Sequence, residues 1–197
     1  MVFYGAESGD DEALNAMNKG GLTVKDTLDL NRRAKSYGIV PEFSFVLGNP
    51  KDPEGDIERS LALVRRLKDE NPACEIILYL YTPVPLPGRY DEARKQGFAF
   101  PETLDEWLSP RWYRYEDRRN PGTPWLTPRM VRRVYDFEAV LHARYPTVSD
   151  RNLSRWQRTV LRVLSTARYK SGLTQRPLEI QALQRLWSYR RPEEMGF

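Results

Sequence analysis

The sequence predicts an α/β protein, a parallel sheet built from about three strand–helix units and followed by an α-helical C-terminal extension. Three observations carry this reading. Residues 1–100 repeat one order three times: an apolar strand, a polar turn and an amphipathic helix. Beyond residue 100 that order stops, and an aromatic, basic connector over 101–126 leads into purely helical periodicity over 127–197. The charge changes with it. Residues 1–100 carry 13 Lys+Arg against 16 Asp+Glu, residues 101–197 carry 18 against 11, and Lys170 is the only lysine among those 18. An arginine-rich half of this kind either meets an anionic partner or presents a solvated helix face.

The first strand is VFYG at 2–5, and SGDDEALNAMNK after it reads as a short helix. Its first turn holds acids, which complement the partial positive charge of a helix N-terminus. Thr23 then caps a helix over TVKDTLDLNRRAKSYG, with Asp26 three residues on and Gly38 as the stop. VPEFSFVLG is the second strand, in which Phe43, Phe45 and Leu47 alternate with smaller neighbours. Asp52 caps the next helix, Pro53 takes its first position, and Ile57, Leu61, Val64 and Leu67 mark one face. The third strand, CEIILYLYT, runs into the turn PVPLPGR and a short helix, YDEARKQG.

Helices are expected in the extension at about 127–144, 150–170 and 177–190. The first opens at Thr127–Pro128 and places Met130, Val134, Phe137 and Leu141 on one face. In the second, Trp156, Val160, Val163 and Ala167 form an apolar wedge, with Arg151, Arg155, Arg158 and Arg162 opposite.

Several chemistries find no support. The single Cys74 excludes an internal disulfide framework and a Cys-only metal site, and it reads as a small core residue. His142 is the lone histidine and has no second ligand at metal spacing. NPKDPEG lacks the Lys-Ser/Thr ending of a phosphate loop. No apolar run approaches the ~20 residues of a membrane span, so no transmembrane segment is expected. With no basic-then-apolar leader in view, the expected compartment is the cytoplasm.

Strands alternating with helices fit either a doubly wound sheet or a βα barrel, and in both, ligands gather beyond the C-terminal ends of the strands. Those ends are Glu7–Ser8–Gly9, Gly48–Asn49–Pro50 and Thr82–Pro83. Gly5, Ala6 and Gly9 leave the backbone approachable, and the two oxygens of Glu7 suit a ribose diol. Lys19, twelve residues on, could meet an anionic group. The alternative is that Glu7 caps the following helix and Lys19 is solvated. RWYRYEDRRNPGTPW likewise has three readings: a nucleic-acid surface of Arg and stacking aromatics, a lid over a substrate cavity, or a connector anchored by Trp and Tyr.

Three blocks in register, GAESGDDEALNAMNKG, GIVPEFSFVLGNPKDPEGDIERSLALVRRLK and LYLYTPVPLPGRYDEARKQG, resemble the second half of a radical S-adenosylmethionine domain. The wording is most similar to the branch that carries an N-terminal cobalamin-binding domain, and the likeness covers about residues 2–97. The resemblance implies a partial parallel βα barrel, of which these are the fourth to sixth units. It implies that Glu7, with Ser8 beside it, approaches the ribose of S-adenosylmethionine and that Lys19 approaches the methionyl carboxylate. Val46 and Gly48 would flank the adenine on one side, and the backbone of Tyr81 and Thr82 on the other. Ser44 falls where some members place an acid and is assigned no contact, and neither is Arg89.

The same resemblance implies a 4Fe-4S cluster held by a CxxxCxxC loop, which this sequence lacks. Its ligands, and any cobalamin domain, are expected in an upstream barrel half outside these residues. The expected function is thus the C-terminal portion of a radical enzyme, inactive by itself, whose complete form acts as a methyltransferase or oxidative cyclase on a small or lipid-like substrate. The competing expectation is a non-catalytic module whose Arg-rich helices contact protein or, less in keeping with the resemblance, nucleic acid.

Overall fold

The computed structural model describes residues 1–17, 20–84, 89–113, 122–146, 153–187 and 189. Three parallel strands, β1 (Val2–Glu7), β2 (Pro41–Leu47) and β3 (Glu75–Leu80), lie side by side in chain order. Between β1 and β2 come α1 (Asp11–Ala16) and α2 (Val24–Ser36), and α3 (Pro53–Glu70) joins β2 to β3. After β3 follow α4 (Arg89–Lys95), α5 (Leu104–Trp107), α6 (Pro110–Tyr113), α7 (Pro128–Arg144), α8 (Arg155–Ser171) and α9 (Leu178–Leu186). The molecule is therefore mixed α/β with a small parallel sheet. No described helix is long and apolar enough to cross a membrane.

Local chemistry explains the helix starts. Thr23 and Asp26 form a reciprocal capping box on α2, and Asp52 accepts from the Gly55 amide with Pro53 in the first turn of α3. Thr127 caps α7, and Ser154 with Gln157 boxes α8. Gly38, at φ 67, follows α2 in the left-handed conformation that a Cβ disfavours.

One continuous hydrophobic core joins the sheet to the extension. Phe43, Phe45 and Leu47 of β2 and Ile76, Leu78 and Leu80 of β3 pack with Ile57, Leu61 and Val64 of α3. The same cluster takes in Val134, Phe137 and Leu141 of α7, Leu161 of α8 and Ile180 of α9. Strand alternation then puts Gly5, Glu42, Ser44, Val46, Glu75 and Tyr79 on the opposite face of the sheet. Glu42 and Glu75 are paired in register across β2 and β3 and both are buried.

The second helix of the extension is turned differently from the apolar-wedge expectation. Its inward residues are Leu161, Ser165 and Tyr169, whereas Trp156 and Val163 are 61% and 67% exposed. Tyr169 faces Phe137 of α7 with ring centroids 6.4 Å apart, and Arg65 of α3 sits 4.6 Å over the Tyr169 ring. A smaller aromatic core of Phe98 and Phe100 gathers Trp107, Trp112 and Trp125. The described aromatics of the connector thus anchor it to the protein; residues 114–121 lie outside the described residues.

Candidate functional site at the strand tips

The C-terminal ends of β1 and β2 meet around one buried carboxylate. Asp56, in the first turn of α3 and 1% exposed, accepts from Ser8 Oγ at 2.5 Å through Oδ1. Its Oδ2 accepts from the Gly48 and Asn49 amides at 2.7 and 3.0 Å. Ser60, one turn further along α3, accepts from the Gly9 amide at 2.8 Å. The ends of β1 and β2 are thereby laced to the start of α3. Burial pushes the Asp56 carboxyl above its ordinary value, against the hydrogen bonds from Ser8, Asn49 and Gly48 that favour the ionised form.

Glycines permit this closeness. A Cβ on Gly9 would lie 2.5 Å from the Arg59 carbonyl oxygen and 2.6 Å from Ser60 Cα, so α3 packs directly on the β1 tip. Gly48 adopts φ 86, and a Cβ there would collide with Leu126. Leu126 and its neighbour Trp125 cover the tips of β2 and β3, Trp125 meeting Tyr81 edge to face at 6.1 Å.

Glu7 is the unusual residue. It ends β1 at φ 64, a left-handed backbone that non-glycine residues seldom adopt, beside a register shift between Gly5 and Glu7. Its side chain folds back along the strand: a Cβ on Gly5 would stand 2.5 Å from Glu7 Oε1. The carboxylate therefore lies on the sheet face opposite the helical core. It does not cap the next helix, because Asp10 does so by accepting from the Glu12 amide.

The remaining sequence candidates divide in placement. Ser8 is fully buried with its hydroxyl given to Asp56. Val46 is half-buried on the face shared with Glu7 by alternation. Gly48 sits under Leu126, and Tyr81 and Thr82 continue β3 half-buried, the Tyr81 amide donating to the Leu47 carbonyl at 2.8 Å. Lys19 lies outside the described residues. A cavity of about 130 Å³ beside the tips is lined by Asp10, Asn49, Asp52, Asp56 and Arg59 rather than by Glu7 or Thr82.

Asp56 and Ser60 were missed in the sequence. Their signal was present: two polar residues four apart beside the apolar face of α3. Among the described residues, no group of three or more His, Cys, Asp or Glu side chains is placed to hold a metal ion. A scan against models of known protein families gives no match to this chain, and neither does a search of curated proteins.

Proposed function

We propose that residues 1–100 are the second half of a partial parallel βα barrel and bind S-adenosylmethionine across the C-terminal ends of β1, β2 and β3. The observation that carries the reading is Glu7. A non-glycine residue held at φ 64 stores strain of order 1–3 kcal/mol, and strain of this kind clusters at binding sites. Here it turns a carboxylate back onto the open face near the end of a strand that pairs on one side only among the described residues, with Val2 and Phe3 42% and 59% exposed. The sheet supports it as well. One face carries the helices, and the other, which mixes Gly5 and Ser44 with Phe3, Val46 and Ile77, is the face that a barrel would turn inward.

In this reading Glu7 accepts from the ribose hydroxyls, and backbone at Val46–Gly48 and Tyr81–Thr82 flanks the adenine. Lys19 meets the methionyl carboxylate, and Ser8 positions the β1 tip through Asp56. A 4Fe-4S cluster does not fit this chain. Cluster ligation needs thiolates, and the sole cysteine, Cys74, lies just before β3 at the opposite end of the sheet. It is fully buried, and burial pushes its thiol up to about 11. The cluster, and cobalamin where used, belong to a complementary half, and the radical methyltransferase or cyclase chemistry is assigned to the two together.

The test is a titration of the isotope-labelled chain with S-adenosylhomocysteine, followed by amide shifts. Saturable changes at Glu7, Gly48 and Thr82, weakened about tenfold by Glu7→Ala, are expected. Absence of shifts at those amides, or shifts confined to α7–α9, would remove the proposal.

A further inference from the structure

A second cavity is lined chiefly by α7, α9 and the loop that leads into α9. It has a volume of about 920 Å³ and lies between α7 and α9, and an adjoining chamber of about 400 Å³ reaches the start of α3. Arg132 and Arg176 line both spaces, and Arg185 lines the larger. All three are exposed, and none has a side-chain hydrogen bond or ion pair among the described residues. Arg133 in the smaller chamber differs: its guanidinium grips Glu58 through two bonds, at 2.7 and 3.0 Å, and so contributes no free charge.

The loop before α9 is built rather than loose. Arg176 holds φ 48, the only described non-glycine residue besides Glu7 with positive φ. Its amide donates to Asp136 Oδ2 at 2.8 Å, and Gln181 Nε2 donates to Asp136 Oδ1 at 3.0 Å. Asp136 is 5% exposed, so a buried carboxylate fixes the strained turn that carries Arg176 into the cavity. Among the described residues it is the only acid lining the larger space, beside three arginines. Between them the wall is apolar, from Leu126, Val131, Ala139 and Leu178.

We propose that this cleft is a binding site for a small amphiphilic anion, a phosphate or carboxylate head on an apolar or aromatic body. The arginines supply paired donors for the head, the apolar wall takes the body, and the volume lies within the range of about 300–1,000 Å³ typical of small-molecule sites. The three arginines line one concavity together with apolar side chains. A polyanion tracked along its backbone would instead need charge spread over a longer groove. The site shares Leu126 with the strand tips but none of the arginines, and its argument does not use the S-adenosylmethionine reading.

The experiment is a fluorescence titration of the 197-residue chain with 8-anilinonaphthalene-1-sulfonate, an anion on an aromatic body, beside neutral N-phenyl-1-naphthylamine. One saturable site for the anion is expected, with the neutral probe at least tenfold weaker. Arg132→Gln and Arg176→Gln should each weaken the anion about fivefold or more, and Arg155→Gln on the surface of α8 should leave it unchanged. Leu178→Asp should weaken the anion more than the neutral probe, which guards against a variant that merely loosens the fold. Octyl phosphate should displace the probe at concentrations where a mixed twelve-nucleotide strand does not. Equal binding of both probes, indifference to Arg132→Gln and Arg176→Gln, or stronger displacement by the oligonucleotide would each overturn the proposal.

Discussion

The strand tips and the α7–α9 cleft each contain a buried aspartate and a strained residue, yet they are finished in opposite ways. At the tips, Asp56 faces a hydroxyl and two amides, glycines bring α3 into contact, and Leu126 and Trp125 close over the ends of β2 and β3. At the cleft, Asp136 secures one turn and leaves about 920 Å³ beside three arginines that have no side-chain ion pair among the described residues. The same device, a buried carboxylate receiving hydrogen bonds from a neighbouring segment, in one case welds a helix to a sheet. In the other it props a loop at the edge of a cavity.

The comparison breaks most decisively at Asp56. Asp56→Ala strands the Ser8 hydroxyl and the Gly48 and Asn49 amides, and each buried unmet donor costs about 1–3 kcal/mol, so a loss of about 3 kcal/mol or more is expected in urea unfolding. Asp56→Asn sharpens the point through pH. Because burial raises the Asp56 carboxyl in the folded state, the native protein keeps its proton after the unfolded chain has released it. Its contribution to stability is thus complete below about pH 4 and falls as pH rises through the folded-state value. The stability gap between the wild type and Asp56→Asn should narrow from pH 4 to pH 7, and a gap that widens would mean the carboxylate is held ionised.

Next in size is Gly9→Ala. The added methyl meets backbone of Arg59 and Ser60 rather than a yielding side chain, so overpacking of about 2 kcal/mol is expected by the same measurement. Arg133→Met comes third. It removes the paired bonds to Glu58 and the bond to Thr174 Oγ1 at 2.6 Å that join α7 to its neighbours, but Glu58 is half exposed. A loss of about 1 kcal/mol is expected, reduced in high salt.

The smallest change has the opposite sign. Glu7→Gly relieves a left-handed backbone that costs about 1–2 kcal/mol, offset by the chain entropy of glycine, so a gain of under about 1 kcal/mol is expected in the melting curve. Gained stability together with lost binding of S-adenosylhomocysteine would mark Glu7 as a residue kept for function. Lost stability would show that its side-chain contacts outweigh the strain.

Much of the fold was legible because it is local. Thr23–Asp26, Asp52–Pro53 and Thr127–Pro128 announce helix starts within four residues, and alternation in Phe43–Leu47 announces a strand. The orientation of α8 was not. The strongest apolar wedge, Trp156 to Ala167, is the visible periodic signal, but α7 packs on the face of Leu161, Ser165 and Tyr169. Ser165 is fully buried there, where a small side chain allows close approach. Of the candidate site, Glu7 and Gly48 were readable as a carboxylate and a bare backbone at strand ends. The partners of Ser8 were not, since Asp56 and Ser60 stand 48 and 52 residues away.

The sequence by itself determined the three strands, the main helices, the starts at Thr23, Asp52 and Thr127 and the parallel order, because hydrogen-bonded local structure and apolar periodicity depend on neighbours along the chain; the short α5 and α6 inside the connector were not legible. Only the tertiary structure decided which carboxylates are buried, which arginines lack an ion pair among the described residues and where empty volume remains. Those outcomes depend on distant segments competing for the same space and the same few donors.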